Sequence, residues 1–186
     1  MSDVFDFSPI IAGKAKSPLL SVSNRGTYPT TDGAIGVTVR EIFGRAICEV
    51  AAWPDQVETV RALIPHKAIA FEYAPARWVV VSDDDKMPKT VERGVDDHGS
   101  VVDLSHGRTV LRIRGKKVVW VLSKLFAIDF PIMGEKSGLA TSHHGITAQI
   151  WREDENTFDI IIFRSFAKSF WHTLTKACAD VGYTVE

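Results

Sequence analysis

Beyond Gly36 the chain alternates short blocks of β-branched and aliphatic residues with polar stretches rich in breakers, the rhythm of strands interrupted by a few helices. The stretch "GVTVREIFGRAICEVAAW" (36–53) reads as extended chain in which Gly44 marks a bulge. "WPDQVETVRALI" then starts a helix. Pro54 suits its first position, Asp55 and Glu58 complement the positive end of the dipole, and Val57, Val60 and Ile64 share one face. "KAIAFEYAPARWVVVS" predicts two strands about an Ala-Pro-Ala turn, and "DDDKMPKTVERGVDDHGS" a charged loop.

From residue 101 the order recurs. "VVDLSHGRTVLRIRG" is strand, and "KKVVWVLSKLF" is a helix turning Val118, Leu122, Leu125 and Phe126 inward. "GLATSHHGITAQIWRED" and "FDIIIF" are strands joined by a turn at Glu155-Asn156. Strand, helix, strand, strand thus occurs twice. This predicts an α+β protein, a single domain over 34–186 built from two related βαββ-type halves (about 34–100 and 101–186) sharing a core. Residues 1–33, dense in Pro, Gly and Ser without a period, predict an extended arm that is ordered only where it lies against something.

In the last helix Ser165 is placed as the N-cap, and Phe166, Phe170, Leu174, Cys178 and Val181 recur at helical spacing as its core face, with Gly182 as the stop. Trp171 falls outside the centre of that stripe. It is expected at the edge or in solvent, where a large apolar side chain marks a partner.

Composition narrows the function. Lys and Arg number 22 against 23 Asp and Glu, a net charge of −1, so the chain lacks the global basic footprint of a nucleic-acid binder. Acidic residues at the start and the lack of a long apolar run predict a cytoplasmic protein with no membrane role. Cys48 and Cys178 form neither a zinc nor a redox motif and are expected to be buried thiols.

Catalytic signatures are equally scarce. There is no GxSxG, no GxGxxG and no P-loop, and "RGKK" (114–117) carries one glycine where a phosphate loop needs two. Ser165-x-x-Lys168 is better explained by capping. His143 and His144, adjacent on a strand, point to opposite faces and could share an ion only if the strand breaks there. Asp103 is explained by an Asx-type turn, and Asp83, Asp84 and Asp85 by solvation. Of the five tryptophans, Trp53, Trp78 and Trp120 are expected in the core, although tryptophan is also enriched at binding hot spots.

An ordered set of segments resembles the gamma subunit of heterotetrameric sarcosine oxidase: "KSPLL", "VTVREI", "APARWVVV", "VDLSHGRTVLRIRGKKVVWVLSKLFAIDF" and, most diagnostically, "FDIIIFRSFAKSFWHTL". The set runs from about Lys16 to the C-terminus and is also similar to the matching subunit of N-methylglutamate dehydrogenase. It departs from the family at Arg77, where an acidic residue is usual before the tryptophan, at Thr141-Ser142 in place of Gln-Thr, and in "SKLFAIDF", which replaces a Lys-Gly-Cys segment.

The resemblance implies a fold similar to the folate-binding aminomethyltransferase of glycine cleavage. It implies a non-catalytic chain in a complex that oxidatively demethylates sarcosine to glycine and traps the methyl carbon as methylenetetrahydrofolate. The alpha, beta and delta subunits would be its partners and would hold the FAD, FMN, NAD, zinc and tetrahydrofolate, none of them bound by this chain. The interface candidates are then Arg164, Phe166, Trp171, Trp78 and Arg77. The rival reading is a free-standing folate-binding one-carbon protein, which needs an interior carboxylate; Asp103 and Asp129 are the candidates.

Overall fold

A computed structural model describes residues 16–186. In chain order the strands are β1 (Gly26–Tyr28), β2 (Val37–Glu41), β3 (Ala46–Ala52), β4 (Ile69–Ala74), β5 (Arg77–Ser82), β6 (Gly99–Asp103), β7 (Arg108–Arg114), β8 (Ser137–His143), β9 (Ile146–Asp154), β10 (Thr157–Phe163) and β11 (Tyr183–Val185). The helices are α1 (Val57–Leu63), α2 (Met87–Val95), α3 (Val118–Ser123) and α4 (Ala167–Cys178). They build a mixed α+β fold of two sheets. A four-stranded sheet has the order β4-β5-β3-β6, and a seven-stranded sheet the order β1-β11-β2-β7-β10-β9-β8.

Strand alternation sorts the core into three slabs. On β3 and β5, Cys48, Val50, Trp78 and Val80 face α1 and α2, where they meet Val60, Met87, Val91 and Val95. Their neighbours Ile47, Val79 and Val81 face the other way and meet Val110, Trp151 and Ile161 from the larger sheet. On the far side of that sheet, Leu111, Ile113, Ile150, Phe158 and Ile160 pack under α3 and α4. Period-two alternation with both sets apolar is what a strand covered on both faces requires. The result is a helix–sheet–sheet–helix stack, pinned at one edge where Gly138 of β8 lies against Phe71 of β4. A Cβ at Gly138 would come within 2.3 Å of that ring.

The structure revises several elements. "DDDKMPKTVERGVDDHGS" is not a loop: it contains α2, whose Met87, Val91 and Val95 fall on one face against the small sheet. Gly44 (φ 84°) is a turn rather than a bulge, and there the chain leaves the large sheet for the small one. The strand expected over 101–115 is two, since β6 pairs with β3 and β7 pairs with β10 and β2, so the chain changes sheet again near Ser105. Residue 100 therefore lies inside β6, and β2 from the first half is inserted between β11 and β7 of the second. Helix α1 begins at Val57, after Pro54 and Asp55. Ser165 lies in a 3-10 turn, Arg164–Phe166, and caps nothing; the residue before α4 is Phe166.

The first fifteen residues of the expected arm lie outside the described residues. From Lys16 onward the segment is tied to the body. Leu19 is fully buried in the core under α3 and α4, and β1 pairs with β11, stacking Tyr28 on Tyr183 at 4.7 Å.

Candidate interaction surface at the sheet crossings

The two places where the chain changes sheet lie side by side and enclose a cleft of about 340 Å3. The first crossing supplies Glu41, Phe43 and Arg45, and the second supplies Asp103, Ser105, His106 and Arg108. Ser105 holds them together. Its Oγ accepts from the Ile47 backbone N–H at 3.0 Å and donates to Asp103 Oδ1 at 2.6 Å, while Leu104 N donates to Ile47 O at 2.8 Å. Asp103 Oδ1 also accepts from Ser105 N at 2.9 Å, the Asx turn expected from the sequence.

Arg164 closes one end of the cleft. Its backbone N–H donates to Gly107 O at 2.9 Å, so the 3-10 turn is fixed to the second crossing. Its guanidinium donates to Lys16 O, while Ser17 Oγ donates to Glu41. Burial pushes the Glu41 carboxyl above its ordinary range, opposed by the Ser17 hydroxyl and the Arg164 charge. Arg108 lies 3.7 Å over the Phe163 ring. Burial lowers the Arg108 pKa, against the pull of Glu49 and Tyr73. Around this polar knot four large apolar side chains face outward: Leu20 (76% exposed), Phe43 (52%), Phe166 (44%) and Phe163 (39%).

The structure divides the residues singled out in the sequence. Arg164 and Phe166 stand at this surface. Arg77, exposed on β5, pairs with Glu49 at 3.2 Å. Trp78 is buried beneath α1, with the Arg61 guanidinium 5.8 Å from its ring. Trp171 is buried as well, at 4% exposure, because Ala167, Phe170, Trp171, Leu174 and Cys178 form the true inward stripe of α4. The position at the stripe's edge or in solvent expected for Trp171 is thus corrected, as is the core position expected for Trp53 and Trp120, which are exposed. Asp103 and Asp129 are both exposed, so neither is the interior carboxylate that pterin binding needs.

Sequence reasoning passed over Glu41, Phe43, Arg108 and Phe163. The signal for the last two lies in β7 and β10, where Arg108 and Phe163 are direct cross-strand partners at the strand ends.

Other candidate groups are spread apart. β8 ends at His143, so the His143 and His144 rings do approach, at 4.3 Å edge to face, with His143 Nδ1 2.6 Å from Leu125 O. No group of three or more His, Cys, Asp or Glu that could hold a metal is present among the described residues. Burial pushes both the Cys48 and Cys178 thiols up to about 12, which leaves them protonated and without nucleophilic character at neutral pH. Among the described residues no helix is long and apolar enough to cross a membrane.

The profile of the sarcosine oxidase, gamma subunit family matches residues 66–180, more than half of the chain. The chain belongs to that family. The matched span includes Arg77, Trp78, Arg164, Phe166 and Trp171, whereas Ser17, Leu20, Glu41 and Phe43 lie outside it. Among solved structures, the chain is similar to one of heterotetrameric sarcosine oxidase from Corynebacterium sp. U-96 in complex with pyrrole 2-carboxylate. The TM-score is 0.75 at 19% identity, covering 89% of this chain and 95% of that one. It is also similar to glycine cleavage system aminomethyltransferase T from Bartonella henselae, with a TM-score of 0.56 at 14% identity over 82% of this chain and 48% of that one. At these identities the likeness is one of fold. No curated protein sequence matches.

Proposed function

We propose that this chain is a non-catalytic gamma subunit that acts in the assembly of a heterotetrameric sarcosine oxidase, a complex that converts sarcosine to glycine and passes the methyl carbon to tetrahydrofolate. Family membership supports the type of complex. The observation that carries the assembly role is that exposed Phe43 and Leu20 line the two clefts that share Arg164, with exposed Phe163 and Phe166 flanking it in the chain. Exposed apolar side chains grouped together mark a partner surface, and a permanent subunit interface buries roughly 2,000 Å2 or more.

In this reading FAD, FMN, NAD, zinc and tetrahydrofolate belong to alpha, beta and delta partner chains, and the assembly works in the cytoplasm. The finer reading of the fold, two related halves in the manner of an aminomethyltransferase, rests on the order β3-α1-β4-β5 and its echo in β7-α3-β9-β10, where β8 is inserted before β9, each series with its third strand beside its first. A free-standing folate protein has no comparable support, given the exposure of Asp103 and Asp129.

The test is affinity capture of the tagged full chain from its own cells. A yellow eluate holding flavin-bearing chains in fixed ratio is expected. A colourless, solitary chain that binds tetrahydrofolate would replace the assembly role with the folate reading.

A further inference from the structure

A second groove, open and about 800 Å3, lies on the other side of Arg164, between residues 17–21 and the start of α4. The chain carries a net charge of −1, yet among the described residues this groove is lined by two cations, Arg164 and Lys168, and by no carboxylate. Glu41, on the other side of Arg164, lines the first cleft, accepts the Ser17 hydroxyl and feels the Arg164 charge.

Leu20 stands in the groove lining at 76% exposure. It is held there by a hydrogen-bonded turn. Val22 N and Ser23 N donate to Leu19 O at 2.8 and 2.9 Å, Leu19 N donates to Ser17 Oγ at 2.9 Å, and the fully buried Leu19 side chain anchors the turn in the core. An apolar side chain fixed outward beside two cations is preorganised for a segment that carries both an apolar group and an acid, because the ordering cost of that side chain is already met in the free chain.

We propose that this groove seats an acidic-apolar segment of the partner subunit, with a carboxylate received between Arg164 and Lys168 and a neighbouring apolar side chain packed on Leu20. The inference rests on the assembly role proposed above and assigns it a place and a chemistry.

The test uses the co-expressed complex. Tagged chains carrying Lys168→Glu, Leu20→Asp or the control Trp120→Ala are captured at low and high salt, with co-purifying flavin as the readout. The control is apt because Trp120 stacks on Lys124, which bonds Ala177 O at the far end of α4, roughly 14 Å along the helix from Lys168 at 1.5 Å per residue. Lys168→Glu and Leu20→Asp are expected to weaken capture by about tenfold or more, as charge or apolar loss at an interface centre does, while Trp120→Ala matches wild type. High salt is expected to weaken wild-type capture and to leave Lys168→Glu little changed.

Wild-type retention by both groove variants, with flavin still captured, overturns the groove and leaves the assembly role standing. A wild-type chain that captures no flavin overturns both. If deleting residues 1–15 strengthens capture and abolishes the Lys168→Glu effect, the occupant is the chain's own N-terminus and the proposal falls. An isolated chain that dimerises until Lys168→Glu is introduced would assign the groove to a second copy, with the same consequence.

Discussion

Arg112 and Asp159 face each other across the β7–β10 pair and share two hydrogen bonds, Nε to Oδ1 at 2.6 Å and one terminal nitrogen to Oδ2 at 2.8 Å. Asp159 is 3% exposed and Arg112 18%, at one end of the slab between the sheets, where apolar Val110 and Ile161 give way to charge. Removing one partner leaves the other desolvated. Asp159→Ala is expected to cost about 3–5 kcal/mol in urea unfolding, and the Arg112→Met, Asp159→Leu pair to recover most of that loss.

Gly138 tests how the sheets are held at their other edge. Its missing Cβ would overlap the Phe71 ring at 2.3 to 2.5 Å, and Phe71 is itself stacked on Trp151 at 5.9 Å. Gly138→Ala should lose about 1–3 kcal/mol, with a partial recovery when Phe71→Leu is added. An unchanged denaturation midpoint would mean that the β4–β8 contact is loose.

The Glu41 carboxyl, raised by burial, gives a signed pH effect. The folded state binds its proton more tightly than the unfolded chain, so this group lowers stability as pH rises from the ordinary glutamate range through the raised folded value. Glu41→Gln keeps an acceptor for Ser17 and removes that penalty. The variant should gain on wild type as pH rises above the ordinary glutamate value, measured by urea midpoints at each pH. Glu153 acts in the opposite sense. Hydrogen bonds from Lys136 and Trp151 lower its pKa, so its contribution is present above the ordinary value and is lost as pH falls through the lowered one. Lys136→Ala should flatten the acid side of the profile.

Both thiols are enclosed and raised to about 12. The native chain is expected to resist an aromatic disulfide reagent at mildly alkaline pH, with both cysteines reacting once it is unfolded. Rapid native labelling of either would show that the thiol is open to solvent in the folded chain.

Period-two strands and apolar helix faces made the α+β class and most strands legible, because burial leaves its mark at fixed spacing. Helix α2 was obscured by the charges flanking it, although Met87, Val91 and Val95 recur every four residues. Trp171 was misplaced for a related reason. Taking Phe166 as the first stripe residue rotated the helix, whereas Ala167 and Phe170 set the true phase. The crossings at Gly44 and Ser105 were beyond local reading. Both are short turns, and which sheet the next strand joins depends on long-range pairing. The interaction surface shares that limit, since it brings together residues as far apart in sequence as Ser17, Glu41, Gly107 and Arg164.

The most direct test of the assembly role is to express the flavin-bearing partner chains with and without this chain and to determine the native mass and sarcosine-dependent flavin reduction of each product. The account predicts a stable four-chain complex only when this chain is present, and an isolated chain that carries no flavin and turns over no sarcosine. Partner chains that assemble and react equally well in its absence, or an isolated chain that reacts by itself, would contradict it.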